Sequence, residues 1–253
     1  MKIVLLQTDI AWANPEANVK NADAEIDKYE GVDLYVLPEM FSTGFCTEPQ
    51  GIAESADSKT LRWMKSKAKE KDCALAGSVA IEENGKYCNR FYFVHPDGKV
   101  EWYDKKHLFT YGGEHKRYTA GKEKLIVNFK GWRIRLFVCY DLRFPVWSRN
   151  HNEYDVAIYV ASWPTPRVDA WKTLLRARAI ENQCYVLGVN RVGNDPYCNY
   201  TGGTAAIDPY GNTLAACTDG MAMSVETEID MDGLNSFREK FPVLNDADEF
   251  ELK

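Results

Sequence analysis

Ile134-Arg135-Leu136-Phe137-Val138-Cys139-Tyr140-Asp141-Leu142-Arg143-Phe144-Pro145 passes from an apolar, strand-like run into a tight polar segment, and Cys139 stands at the break. A cysteine at the point where a strand turns is presented to a pocket, with the backbone N–H groups of the turn facing the same space. An acyl-transfer nucleophile needs that placement. Two other apolar runs end in a similar way. Asp33-Leu34-Tyr35-Val36-Leu37 stops at Pro38 and delivers Glu39; Val100-Glu101-Trp102-Tyr103-Asp104 delivers Lys105. A thiol, an acid and a cation, each just past a strand end, point to one site.

Outward from these runs, strands and helices alternate. Lys2 to Gln7 reads as a strand. Asn14-Pro15 is a cap followed by a first-turn proline, so a helix is expected to about Tyr29. A second helix is expected from about Ser58 to Lys71, with Leu61, Met64 and Ala68 on one face. Further strands are read at 74–81, 89–95 and 100–104, with a hairpin at 125–138 turning around Lys130-Gly131. A helix at 145–151, a strand at 156–160, a helix at 168–183 and a strand at 185–190 follow. Strands over 203–229, turning at Asp208-Pro209-Tyr210-Gly211-Asn212, and a short helix at 231–240 close the pattern. The strands are near-continuously apolar, as strands buried on both faces are, which indicates a layered α/β domain. No linker, repeat or low-complexity stretch interrupts it, so one domain over 1–253 is expected.

Composition excludes several classes. A net charge of −6 argues against nucleic acid or an anionic membrane as the main partner. The apolar start Ile3-Val4-Leu5-Leu6 is too short for a secretory segment, and no run approaches the roughly 20 apolar residues of a membrane span. A cytoplasmic protein is the expectation. The seven cysteines form no CxxC pair and the four histidines no i,i+4 pair, so no structural zinc is expected. Apart from Cys139, the cysteines read as small buried hydrophobes.

Each candidate residue also has a plainer reading. Cys139 taken alone is a buried strand cysteine; the polar turn after it weakens that view, because polar groups beside a buried strand end must be satisfied or functional. His107 or His115 could supply a base to the thiol, but His107 lies just before Leu108-Phe109 and reads equally as a packed, hydrogen-bonded histidine. Glu39, between Pro38 and Met40-Phe41, is the alternative base, since desolvation tunes a carboxylate towards the working pH. Lys105 alone is a solvated lysine; beside a tetrahedral oxyanion it is a strong stabiliser.

Together these residues make a resemblance plain. Leu37-Pro38-Glu39-Met40-Phe41, Lys105-Lys106-His107-Leu108-Phe109 and Val138-Cys139-Tyr140-Asp141-Leu142-Arg143-Phe144 occur in the order found in the carbon–nitrogen hydrolases, the nitrilase superfamily. The resemblance covers essentially the whole chain. It implies a four-layer α-β-β-α sandwich, dimers formed through helices near the nucleophile, and catalytic roles for Glu39, Lys105 and Cys139. It makes Glu114 a second glutamate between the lysine and the cysteine. The stretches 139–150 and Ala161-Ser162-Trp163-Pro164 most resemble bacterial omega-amidases, which act on omega-amides of short 2-oxo dicarboxylic acids. Nitrilases proper usually carry Cys-Trp-Glu at the nucleophile, which disfavours nitriles here. N-carbamoyl hydrolases carry an arginine pair after the aspartate, of which only Arg143 is matched.

The expectation that follows is hydrolysis of a small amide through a Cys139 thioester. Glu39 is the expected base, with Lys105 and the Tyr140 N–H on the oxyanion, and neither metal nor organic cofactor is required. A small-molecule substrate and a homodimer or higher homo-oligomer are the expected partners. Arg143 either clamps a substrate carboxylate or pairs with Asp141 or another acid to hold the turn. Trp163 either walls the pocket or packs in the core. Arg178 and Glu181 read as an ordinary helix pair. A catalytically idle binding module is the reading from another class, and the intact Glu39, Lys105, Cys139 and Glu114 speak against it.

Overall fold

A computed structural model describes residues 1–251. Two sheets account for most of the strands. The first collects β1 (Lys2–Gln7), β2 (Leu34–Val36), the two-residue β3 (Glu54–Ser55), β4 (Ala74–Glu83), β5 (Lys86–Val94) and β6 (Val100–Asp104). The second collects β7 (Ile126–Phe129), β8 (Trp132–Val138), β9 (Val156–Ala161) and β10 (Tyr185–Asn190). After a small hairpin of β11 (Val192–Asn194) and β12 (Asn199–Thr201), it is completed by β13 (Ala205–Ile207) and β14 (Thr213–Ala216). Finally β15 (Met223–Glu228) returns to the first sheet, antiparallel to β1. The spatial orders are β15-β1-β2-β4-β5-β6, with β3 beside β4, and β14-β13-β10-β9-β8-β7.

The period-2 alternation of strand side chains builds the layers. On β1, Ile3 and Leu5 point into a core shared with second-sheet residues such as Leu136 and Ile158. Val4 and Leu6 point the other way, towards Ala22 and Ile26 of α1 (Pro15–Ile26) and Leu61, Met64 and Ala68 of α2 (Lys59–Glu70). Across the second sheet, α4 (Val168–Asn182) lays Trp171, Leu175 and Ala179 against the core; α3 (Pro145–Ser148) and α5 (Met231–Lys240) complete the helices. The result is the expected α-β-β-α sandwich. Among the described residues no helix is long and apolar enough to cross a membrane.

Local chemistry explains where the sequence reading and the structure part. The Asn14 and Ser58 side chains cap α1 and α2 by accepting from Ala17 N and Leu61 N, both at 3.1 Å. However, α1 ends at Ile26, before the expected Tyr29, because the Tyr35 hydroxyl takes the carbonyls of Ile26 and Tyr29 at 3.4 and 3.2 Å. Helix α3 stops at Ser148 instead of 151. Asn150 is drawn out of line towards the end of α4, its N–H donating to Asn182 Oδ1 at 2.9 Å and its Nδ2 to Asn182 O at 3.0 Å. Strand β5 begins at Lys86 rather than 89, because Asn84-Gly85, with φ of 53° and 73°, makes a tight hairpin turn with β4.

Helix α4 reaches the second sheet over Gly188, where an added Cβ would lie 2.3 Å from Leu175 Cδ1. Gly188→Ala is therefore expected to cost about 1–3 kcal/mol through overpacking, read by urea unfolding. In a Leu175→Ala background the same substitution should cost far less. An equal cost in both backgrounds would show that the Leu175 contact is not what excludes a side chain there.

Candidate active site

Strand direction brings the candidate residues to one end of the sandwich. Strands β1, β2 and β4 are parallel, while β5 and β6 each reverse, so β6 again runs with β2. Glu39 just beyond β2 and Lys105 just beyond β6 therefore emerge on the same side. In the other sheet β8 and β9 are parallel, and Cys139 and Ser162 follow their ends. The backbone N–H of Ser162 donates to Glu39 Oε2 at 2.8 Å and joins the two halves. Carboxyl ends of parallel strands are where such sheets place their ligand sites.

Glu39, Lys105 and Glu114 form one buried cluster, each without solvent exposure. Lys105 Nζ lies 2.9 Å from Glu39 Oε1 and 2.9 Å from Glu114 Oε2. Glu114 sits in a short 3₁₀ turn and also accepts the N–H of Phe109 at 2.6 Å. Burial alone would discharge the lysine, but the two carboxylates outweigh it and hold the ammonium above its ordinary pKa. Burial, with the neighbouring Glu39 charge, pushes Glu114 up against the opposing pull of Lys105. Sequence reasoning missed Asn89 of β5, whose Nδ2 donates to Glu39 Oε1 at 2.8 Å and to Glu114 Oε1 at 3.3 Å. An isolated strand asparagine carries no signal; an asparagine at a fully buried position of an apolar strand could have raised the question.

Cys139 opens the turn in a left-handed conformation, φ 44°, which costs a non-glycine residue of order 1 kcal/mol. Its thiol is pushed well above the ordinary range by burial and by the Glu39 carboxylate, with Lys105 and the Ser162 N–H pulling the other way.

The turn is held from behind by Asp141, which is fully buried. Asp141 accepts from Val138 N at 3.0 Å, Tyr103 OH at 2.8 Å and His107 N at 2.9 Å, and His107 Nδ1 lies 2.7 Å from it. His107 is thus committed to Asp141 and stacks on Phe144 at 3.8 Å, which is the packed-histidine reading; His115 is exposed. The expected pair of Arg143 with Asp141 is not formed, because these donors already occupy the carboxylate. The cation that does hold the turn is Arg178. Besides pairing with Glu181 at 2.9 Å, it donates to Leu142 O at 2.6 Å, so it is more than an ordinary helix pair.

Cys139 lies on a cavity of about 620 Å³ whose lining includes Tyr140, Arg143, Trp163, Arg167 and Phe109. Trp163 meets both of its sequence readings: it walls this cavity and packs against Trp171, with ring centroids 5.5 Å apart. The Arg143 guanidinium lies over the Trp163 ring at 4.9 Å and that of Arg167 over Phe109 at 5.5 Å. Among the described residues neither arginine has a carboxylate partner. The acids on the cavity are engaged: Glu48 pairs with Arg117 at 2.9 Å, and Asp195 accepts from Tyr200 OH at 2.6 Å and from two backbone N–H groups. Glu39, Lys105 and Glu114 do not line the cavity; of the four predicted catalytic residues only Cys139 does. Cys198, read from sequence as buried, lines the cavity, and Cys88 too is only half-buried. Among the described residues no three His, Cys, Asp or Glu side chains gather as a metal would require.

Known proteins place this arrangement. The carbon–nitrogen hydrolase family model matches residues 2–239. The chain is 47% identical to the omega-amidase YafV of Escherichia coli K12 across all of this chain and 98% of that protein. It is 36% identical to the 2-oxoglutaramate amidase of Bacillus subtilis 168 over 96% of each. A CN-hydrolase superfamily protein of Xanthomonas campestris, solved with an arsenic adduct in its active site, superposes with a TM-score of 0.97. It is 41% identical, over 100% of this chain and 99% of that one. The extent of the sequence match and the closeness of the fold agree: the chain belongs to the carbon–nitrogen hydrolase family.

Proposed function

We propose that this hydrolase cleaves the terminal amide of a short 2-oxo dicarboxylic acid monoamide, 2-oxoglutaramate or 2-oxosuccinamate, releasing ammonia through a thioester on Cys139. The observation that carries the reading is a cavity with free arginines on its wall, Cys139 on its surface, and the Glu39–Lys105–Glu114 cluster against that thiol. The names of the relatives in Escherichia coli and Bacillus subtilis point the same way.

Glu39 accepts the Cys139 proton as sulfur attacks the amide carbon. The oxyanion forms against the Lys105 ammonium and the Tyr140 N–H. Protonated Glu39 gives its proton to the departing nitrogen, and ammonia leaves. Water then loses a proton to Glu39 and attacks the thioester; the acid departs and the proton returns to sulfur. Every step is proton transfer or acyl transfer, so neither metal nor organic cofactor is needed. Glu114 keeps Lys105 charged and in place.

Arg143, with its fork exposed and its face on Trp163, clamps the substrate carboxylate, and Arg167 supplies a second cation on the same wall. The 2-oxo acid is favoured over glutamine by the name of the Bacillus subtilis relative, a 2-oxoglutaramate amidase. The reading takes the chain as one domain over 1–253, cytoplasmic and homodimeric or larger. Its seven free thiols suit a reducing compartment. Half-exposed Ile180, Tyr210 and Phe241 offer apolar surface for a second copy.

Cys139→Ser should fold normally and lose turnover, and mass spectrometry of the quenched wild type should find the acyl group on Cys139. Trapping on another cysteine would overturn the mechanism. Glu39→Gln should lose about 10²–10⁴-fold in kcat, whereas exposed His115→Asn should change it little; the reverse ranking would favour a histidine base.

The substrate assignment is tested by kcat/KM for 2-oxoglutaramate, 2-oxosuccinamate, glutamine, an N-carbamoyl amino acid and an uncharged amide of similar size. The 2-oxo acids should lead glutamine in kcat/KM. Arg143→Lys should lower kcat/KM for the carboxylate-bearing amides and leave the uncharged one nearly unchanged. Equal losses on both would make Arg143 structural, and a wild-type preference for the uncharged amide would end the 2-oxo acid assignment.

A further inference from the structure

We propose that Asn89 is a positioning residue that sets the charge state of the catalytic cluster, its amide keeping Glu39 and Glu114 ionised together around one ammonium. The inference rests on the reading of Glu39 as the base. Its ground is geometric. Asn89 is fully buried on β5, opposite Ala80 of β4, and its backbone carbonyl accepts the Lys105 N–H at 2.9 Å, so its place is tied to that of the lysine. Its Nδ2 reaches Glu39 Oε1 at 2.8 Å and Glu114 Oε1 at 3.3 Å. Its Oδ1 has no partner among the described residues. Buried acceptors are rarely left unpaired. Here the amide gives up satisfaction of its oxygen in order to direct its nitrogen at two carboxylates, and since ionised carboxylates only accept, that orientation is dictated by the partners.

The charges around Asn89 require such a donor. Glu39 follows β2, Lys105 follows β6, Glu114 lies on the 3₁₀ turn and Cys139 follows β8. Tyr118 also faces these groups, its hydroxyl spent on Cys46 O at 2.7 Å. Two carboxylates against one ammonium leave one net negative charge out of reach of water. The Ser162 and Phe109 N–H groups each hold one carboxylate; only Asn89 and Lys105 hold both. Without the amide, the pair would draw a proton at higher pH. The protonation belongs to the pair rather than to either residue, and a protonated pair cannot take the proton of Cys139. The acidic limb of reactivity should therefore move up.

The experiment uses Asn89→Leu, which keeps the branched shape without a donor, and Asn89→Ser, which is smaller and keeps one. Cys139 alkylation by iodoacetamide is followed against pH by peptide mass spectrometry, alongside kcat/KM for 2-oxoglutaramate and a thermal melt. The midpoint of the acidic limb should rise by about one to two pH units in Asn89→Leu, the worth of one hydrogen bond to a charged group. It should rise less in Asn89→Ser, with KM nearly unchanged in both. Limbs that coincide with wild type in whichever variants fold, even with lower stability or a lower plateau, would reduce Asn89 to a packing residue and overturn the proposal. Alkylation needs no amide substrate, so a shifted limb without turnover of 2-oxoglutaramate would uphold Asn89 while rejecting the substrate reading.

Discussion

An ammonium with no access to water, shared between two equally buried carboxylates, is the constraint from which the rest of the site follows. Burying a charge costs several kcal/mol unless partners replace its hydration. Lys105 meets that demand with Glu39 and Glu114, each at 2.9 Å. Meeting it fixes a good deal of architecture. β6 must run with β2 so that lysine and glutamate leave their strands at one end. The 3₁₀ turn must carry Glu114 inward, and the second sheet must come close enough for the Ser162 N–H to reach Glu39. Removing one partner would strand a buried charge, so the cluster is held as a unit.

The turn that carries Cys139 is built on a separate set of polar groups. Asp141 gathers the N–H of Val138 and His107, the His107 ring and the Tyr103 hydroxyl, while Arg178 takes the Leu142 carbonyl. These contacts secure Cys139 in its left-handed conformation without touching the cavity. The division suits the proposed mechanism: the acid proposed to move protons is not also asked to hold the backbone, and His107, which sequence offered as a base, is bound to Asp141.

Sequence showed most of the frame because strand ends and helix caps are local. Ser58, Asn14-Pro15 and the apolar runs before Glu39, Lys105 and Cys139 carry their meaning within a few residues. What escaped was non-local. Asn89 means nothing until β5 lies between Glu39 and Glu114. Arg167 has no motif, and joins Arg143 only when the segments after β8 and β9 meet over Phe109 and Trp163. Arg143 and Asp141 are close in sequence but do not pair, because donors distant in sequence, Tyr103 and His107, fill the carboxylate. Asn84-Gly85 was a local signal passed over, and with it the first residues of β5. Helix α1 was drawn too long because its end is decided by the hydroxyl of Tyr35, a residue of the next strand.

The raised thiol pKa gives the site its operating logic. A cysteine beside an imidazolium rests as a thiolate, ready to react with any electrophile that reaches it. Here burial and the Glu39 carboxylate both oppose ionisation of the thiol, against Lys105 and the Ser162 N–H. Lys105 cannot reverse this alone, since two carboxylates already claim its charge. In the proposed mechanism the balance changes when an amide oxygen arrives and begins to carry negative charge: the ammonium would then face a third acceptor, and the thiol proton would pass to a carboxylate whose claim on the lysine has weakened. On the proposed mechanism, ionisation of Cys139 is thereby coupled to engagement of the substrate carbonyl. A high thiol pKa, which would look like a defect in a Cys–His enzyme, would there be the means of keeping a reactive sulfur quiet until the correct group is bound.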